Sequence, residues 1–339
     1  MKQLFALVVS ILAFVAVAAE LDMDLLKAIG NDRTRWVAHS RGAKARVCFR
    51  VVDNDGMPVT NANVRCAFKV GAGASGLQNV YGVTDTNGLC TINGLCKAYM
   101  DYTVGKDDYY CSHGKVDYME TTRVPAVIDG KWQPYGETRT VVLKKIKDPW
   151  TVKVFGESSH RHGIPVFNKW IDFDLESCDW LPPYGCGKCN DVALRFSADV
   201  RKRRIDYTYV MEVSFTNNPF AGAYLMKKDF CSDLQTEHYA NTNGIYDAEF
   251  SFATESNVDK PVKATYLDKD SYLVFRTRTR IDDQGRLVGA HYGKICGVWR
   301  STQKIMQISD GCFNPVENNS NIEGDQVLHY AIRNYKKGK

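Results

Sequence analysis

Apolar and polar residues alternate with a period of two along much of this chain. Val47, Phe49 and Val51 interleave with Arg46, Cys48 and Arg50. A second run puts Val64, Cys66, Phe68 and Val70 on one face, with Arg65, Ala67 and Lys69 on the other. This period predicts strands with one buried face. Between the runs lies DNDG (Asp53–Gly56), a turn whose Asn and Gly tolerate positive φ, and then Pro58, which cannot donate to a ladder and suits a strand start or edge. After the glycine-rich loop GAGASG (71–76), YGVTDTNGLCTI predicts a strand, a turn at Asp85–Gly88 and a return strand. AYMDYTVGKDDYYCSHG adds strand-like segments, and TRTVVLKKI (Thr138–Ile146) reads as the last strand of this run. Short strands punctuated by turns predict a β-sandwich.

KDPW (Lys147–Trp150) reads as a linker, and the β pattern resumes after it. Val192, Leu194, Phe196, Ala198 and Val200 should face one way, as should Tyr209, Met211, Val213 and Phe215. YDAEFSF repeats the alternation. Tyr272–Arg280, the turn IDDQG and Arg286–Trp299 predict a long hairpin. Upstream, Leu21, Leu25, Leu26 and Ile29 have helical spacing, ended by Gly30 and Asn31, with an irregular lead-in through Gly42.

The first residues assign a compartment. Lys2 precedes an apolar run, Leu4–Ala18, broken only by Ser10, with small residues at Ala16, Ala18 and Ala19. This predicts a signal peptide over 1–19. The run falls short of the ~20 residues a spanning helix needs. The expected product is secreted, periplasmic or at the cell surface, with no membrane span after cleavage. Abundant Tyr and Phe (18 and 15) favour sheet. A net charge of +5, from 44 basic and 39 acidic residues, is too small to indicate nucleic acid. In an exported chain the eleven cysteines are first read as disulfides, and an odd count leaves one over.

Several of these segments carry a resemblance. VDNDGMPVTNANV, GVTDTNG, YTV and the pair Tyr109–Tyr110 resemble a carboxypeptidase regulatory-like domain, a pattern shared with bacterial Ig-like (invasin-type) domains. The resemblance covers about residues 44–146 and implies an Ig-like or prealbumin-like sandwich. It also implies an accessory role: spacer, adhesive unit or carbohydrate-binding-like fold. YLVFRTRTRIDDQGRLVGAHYGKICG and FNPVENNSNIE resemble segments of uncharacterised secreted bacterial proteins with a similar two-part architecture. The expected organisation is therefore all-β: signal peptide 1–19, helix and lead-in 20–43, sandwich 44–146, linker 147–150, a second β-sandwich-like domain 151–325, and a basic tail 326–339.

Candidate chemistry is sparse. CGKC (Cys186–Cys189), with Cys178 upstream and His160 and His162 of HRH, has a zinc-ligand spacing and a redox spacing. The strand-like alternation after it does not suit the redox motif, and compartment and spacing favour a structural disulfide. Cys66 and Cys90 both fall on inferred inward faces and could bridge the core; Cys48, facing out, is the candidate odd thiol. Cys296 and Cys312 are further disulfide candidates. RTRTR puts Arg276, Arg278 and Arg280 on one expected strand face, where guanidinium groups could grip an anionic polymer, and RKRR (Arg201–Arg204) adds a second basic run. Trp132, Tyr135, Trp170, Trp180 and Tyr184 fall in loop-like segments, where exposed rings could stack on sugars. Nucleophile-elbow, HExxH and P-loop motifs are absent, and no cofactor is implied. The leading expectation is a non-catalytic binding or structural module whose partner is glycan or a cell-surface protein. The alternatives are a glycan-processing hydrolase with paired carboxyls in the second domain, or a surface-assembly subunit.

Overall fold

The computed structural model describes residues 32–324 and 328, except 74, 75, 122, 124, 156–159, 203, 204, 217, 258, 259, 266, 268 and 269. The expected signal peptide, the helix expected at 21–29 and, Leu328 apart, the tail from 326 lie outside the described residues. So do Arg203 and Arg204 of the second basic run. Strands dominate what is described, and two compact units divide between Lys145 and Ile146.

Among the described residues of the first unit, helix α1 (Arg33–Arg41) precedes nine strands. They are β1 (Ala43–Asp53), β2 (Asn63–Lys69), β3 (Leu77–Val83), β4 (Leu89–Cys96), β5 (Tyr99–Gly105), β6 (Ser112–Asp117), β7 (Val127–Ile128), β8 (Lys131–Trp132) and β9 (Glu137–Leu143). One sheet runs β4-β1-β8-β7, with β9 also pairing β1; the other runs β3-β2-β5-β6. Alternate residues Val47, Phe49 and Val51 meet Val64, Cys66 and Phe68 in one core, completed by Met100, Trp132 and Leu143. The all-β sandwich expected here is the observed fold.

Two local expectations are corrected. The segment read as an irregular lead-in contains α1. Asp32 caps it, accepting from Thr34 N at 2.9 Å, and Gly42, at φ 85°, closes it by donating to Ala38 O at 2.7 Å. The helix lacks an apolar stripe, so periodicity could not reveal it. Its anchor is polar: Arg35 donates to Met119 O and Thr121 O, and Asp32 accepts from Ala126 N at 2.6 Å. The second correction concerns Asp85–Gly88. The turn is there, with Asp85 accepting from Asn87 N and Leu89 N, but β3 and β4 lie in different sheets. The turn therefore carries the chain across the sandwich. Buried Thr84 fastens the crossing: its hydroxyl donates to Val59 O at 2.7 Å and accepts from Ala62 N at 2.8 Å.

The second unit contains β10 (Lys153–Phe155), β11 (His160–Gly163), β12 (Trp170–Asp174), β13 (Asp179–Trp180), β14 (Val192–Lys202), β15 (Asp206–Ser214) and β16 (Gly222–Lys227). It continues with β17 (Glu249–Asn257), β18 (Lys260–Thr265), β19 (Ser271–Ile281), β20 (Leu287–Ile295), β21 (Trp299–Ser301), β22 (Ile305–Ile308) and β23 (Gly311–Phe313). The sheets are β13-β12-β14-β15-β17-β18, β10-β23-β20-β19-β16 and β11-β22-β21. Phe173, Leu194, Phe196, Met211, Val213, Phe275, Trp299 and Phe313 form the main core. The β19–β20 hairpin turns where expected, with Asp282 accepting from Gln284 N and Arg286 N. Trp299, assigned to that hairpin by its sequence, instead belongs to the three-stranded sheet. Ala198 is exposed although it shares a face with Leu194 and Phe196, because β14 and β15 run on past the core.

Candidate functional site

The three arginines of RTRTR do not share a face. The β19–β20 register shifts between Thr277 and Arg280, and Arg278 sits at φ 49°. Such a bulge breaks the two-residue alternation and re-aims the side chains around it. Arg276 is buried, donating to Phe220 O and Thr242 O, with its guanidinium 4.0 Å from the Tyr246 ring centroid. Arg280 stays exposed and makes a bidentate pair with Glu317.

Arg278 turns into a cage of carboxylates. Its Nε and Nη2 donate to the two oxygens of Asp191 at 2.8 and 3.0 Å. Its Nη2 also reaches Asp174 at 3.1 Å, and its Nη1 reaches Glu176 at 2.5 Å. Lys153 adds a second cation on Glu176, and Phe313 lies 4.5 Å beneath the guanidinium. Three carboxylates and two cations leave one net negative charge here. Burial holds the Asp191 carboxyl above the usual carboxylate range, with Arg278 pulling it back. Burial also opposes ionisation of Asp174, but backbone N–H groups of Lys188, Ser177 and Cys189 outweigh it and hold the carboxyl low. A hydrolytic pair must reach substrate. Asp191 is fully buried and Asp174 nearly so, and both oxygens of each already accept hydrogen bonds. The arrangement ties β12, β19 and the loop before β14 together.

CGKC forms part of that loop. Asp174 accepts from Lys188 N and Cys189 N, and Asp179 accepts from Cys186 N. The spacing thus wraps a backbone loop around two carboxylates. His162 lies against buried Cys178, Nε2 to Sγ 3.7 Å, and edge-on to Phe173 and Trp180. Burial pushes the Cys178 thiol up to about 12. Among the described residues no three His, Cys, Asp or Glu side chains gather as a metal site. No disulfide joins the described cysteines: Cys66, Cys90, Cys178, Cys296 and Cys312 are buried, Cys189 and Cys48 half-buried, Cys186 exposed.

The aromatic candidates divide by burial. Trp132 is inside the first core, stacked on Tyr118 and donating from Nε1 to Cys96 O at 2.7 Å. Trp180 is also buried and donates to Gly163 O. Neither ring, nor Arg276, offers a surface to a ligand, because the cores close over them. Tyr135 is half-buried beside Lys131, and Tyr184 is exposed.

Trp170 is different. It is 46% exposed and opens β12 at the end of a cross-strand row, Trp170–Arg195–Glu212–Ser251. The neighbouring residues Leu194, Phe196, Met211 and Val213 point into the core, so this row lies on the opposite, open face. The Arg195 guanidinium sits 4.8 Å from the Trp170 ring centroid and makes two 2.6 Å hydrogen bonds to Glu212. That pairing with Arg195 holds the Glu212 carboxyl below its ordinary value. Arg195 and Glu212 escaped sequence reading because they look like ordinary polar positions of alternating strands.

Fold and site together define an all-β protein with a sandwich unit and a second β unit bearing an aromatic, ion-paired sheet face. No family model and no curated protein matches the chain. Solved structures match at low similarity. 3-Chlorocatechol 1,2-dioxygenase from Rhodococcus opacus 1CP is 13% identical, with TM-score 0.24, over 31% of this chain and 61% of that one. Catechol 1,2-dioxygenase from Acinetobacter sp. ADP1 is 15% identical, with TM-score 0.24, over 32% of this chain and 54% of that one. The match thus spans only about half to three-fifths of each dioxygenase. The shaft pilin SpaA from Lactobacillus rhamnosus GG is 9% identical, with TM-score 0.22, over 84% of this chain and 95% of that one. Scores this low assign no activity. No helix among the described residues is long and apolar enough to cross a membrane.

Proposed function

We propose that this protein is an exported, non-catalytic recognition module that docks glycan or other cell-surface material on the open face of the six-stranded sheet. The observation that carries this reading is the Trp170–Arg195–Glu212 row. An aromatic ring offers an apolar face to the C–H face of a sugar, while the flanking ion pair offers hydrogen-bond partners to its hydroxyls. Arg195, held by Glu212, fixes the platform before a ligand arrives, which lowers the ordering cost of binding. Export rests on the first nineteen residues, and it would place the neighbouring buried thiols Cys66 and Cys90 in oxidising surroundings. Peptide masses of the exported protein, with and without reductant, test a bridge between them.

The functional test is a glycan array probed with the full chain and with Trp170→Ala. We expect retention on at least one neutral or acidic glycan, lost in the variant. Hydrolysis of an arrayed glycan, or equal retention of both proteins, would overturn the reading.

A further inference from the structure

The first unit contains a cavity of about 150 Å³. Its apolar lining comes from Val47 and Val116, both buried in the sandwich core, and from Tyr118. Gln133, Glu137 and Arg139 supply polar lining, with Asp117 and Glu120 adding acidic groups. The volume is that of cavities that accept a six-membered ring.

Two buried donors in this lining lack partners. Tyr118 is 3% exposed, and its hydroxyl makes no hydrogen bond. The Nε of Arg139 is likewise buried without an acceptor, although its Nη2 touches Glu137 at 3.4 Å. Leaving a buried donor unsatisfied costs about 1–3 kcal/mol, so two lining one cavity call for an explanation. Tyr118 is held in place by its ring, which stacks on Trp132 at 5.4 Å. The hydroxyl is therefore held by a rigid element.

The charges narrow the ligand. Asp117, Glu120 and Glu137 against Arg139 give the lining a net charge of −2, and Asp117 is additionally paired with Lys115 outside it. An anion would gain Arg139 but meet the carboxylates. A hydroxyl can accept from Arg139 Nε or Tyr118 and also donate to a carboxylate. The valines suit the C–H face of a ring.

We propose that this cavity is a binding site for a small neutral polyhydroxylated ring, of the size and chemistry of a single pyranose. It is independent of the Trp170 face and stands or falls separately. An aromatic-backed pocket with a few convergent polar groups is the usual form of a small-ligand site, and for so small a ligand roughly millimolar affinity is expected.

The test is saturation-transfer NMR titration of the full chain with glucose, galactose, mannose and N-acetylglucosamine, and with glucuronate as the anionic counterpart. We expect saturable binding of at least one neutral sugar, with glucuronate weaker. Tyr118→Phe removes only an unpartnered hydroxyl, so it should melt no lower than the parent and bind about threefold to tenfold more weakly. Glu137→Gln provides a second, exposed probe and should also weaken binding. Titrating the Trp170→Ala chain removes any contribution of the open sheet face, so the saturable binding that remains in it reports on this cavity. Absence of saturable binding by every neutral sugar, tighter binding of glucuronate, or full affinity in both Tyr118→Phe and Glu137→Gln would overturn the proposal.

Discussion

Replacing Arg278 with methionine should unfold the second unit more easily than any surface substitution. Methionine keeps an unbranched side chain and meets the same left-handed backbone at φ 49°, so backbone strain largely cancels between variant and parent. What is lost is the charge partner of Asp191, which is 0% exposed, and of Asp174, which is 3% exposed. Removing one member of a buried ion pair costs about 3–5 kcal/mol, because the remaining charge has neither water nor partner. Glu176 is partly solvated and keeps Lys153, so it adds little. At roughly 2–4 °C per kcal/mol for a unit of this size, the melting temperature should fall on the order of 10 °C.

The pH dependence supplies a second check. Burial already raises the Asp191 carboxyl, and losing Arg278 removes the group that lowers it. In the variant the folded state then takes up a proton before the unfolded state does, so its stability rises as pH falls from the raised folded value toward about 3.8. The deficit relative to the parent should shrink as pH falls toward about 3.8, and Arg278→Met with Asp191→Asn should recover part of it. Urea denaturation followed by tryptophan fluorescence and near-UV circular dichroism would measure both. A loss below about 1 kcal/mol, or a deficit that widens on acidification, would refute the cage as a buried electrostatic tie.

Gly88→Ala should destabilise the first unit by about 2 kcal/mol or more, since residue 88 has φ 71° and an added Cβ would lie 2.4 Å from Val51 O; a denaturant midpoint equal to the parent's would contradict this. Trp132→Phe should cost about 2–3 kcal/mol, because the buried Cys96 carbonyl loses its indole donor and a void opens. Calorimetry decides it, and a neutral result would mean the core closes the gap. In the reduced, folded protein iodoacetamide should modify the exposed Cys186 and Cys231 first. Cys66, Cys96 and Cys178, whose thiols burial pushes up to about 12, should react only after denaturant is added. Peptide mapping showing any of these three labelled as fast as Cys186 would count against the described packing.

Strand existence was legible in the sequence because a two-residue period is local: Val47, Phe49 and Val51 have one buried face whichever strand lies beside them. Turns were legible for the same reason, as Asp53, Asp85 and Asp282 each bond amides two and four residues on. Which strands pair was not legible, since β3 and β4 read as a hairpin and yet lie in different sheets. Helix α1 was hidden because its contacts are polar and its partners lie more than eighty residues away.

The candidate sites followed the same division. Residue types alone marked Trp170 and the three arginines as capable of recognition chemistry. Only register could set Arg195 between Trp170 and Glu212, and only a bulge could send Arg276, Arg278 and Arg280 to three different surroundings. Tyr118 and Arg139 acquire meaning solely as lining of one cavity. Composition and alternation thus determined that this chain builds layered sheets, because each residue's preference for core or water acts locally. Tertiary structure decided which polar groups are consumed in holding the sheets and which remain to meet a ligand, because burial and pairing depend on neighbours far away along the chain.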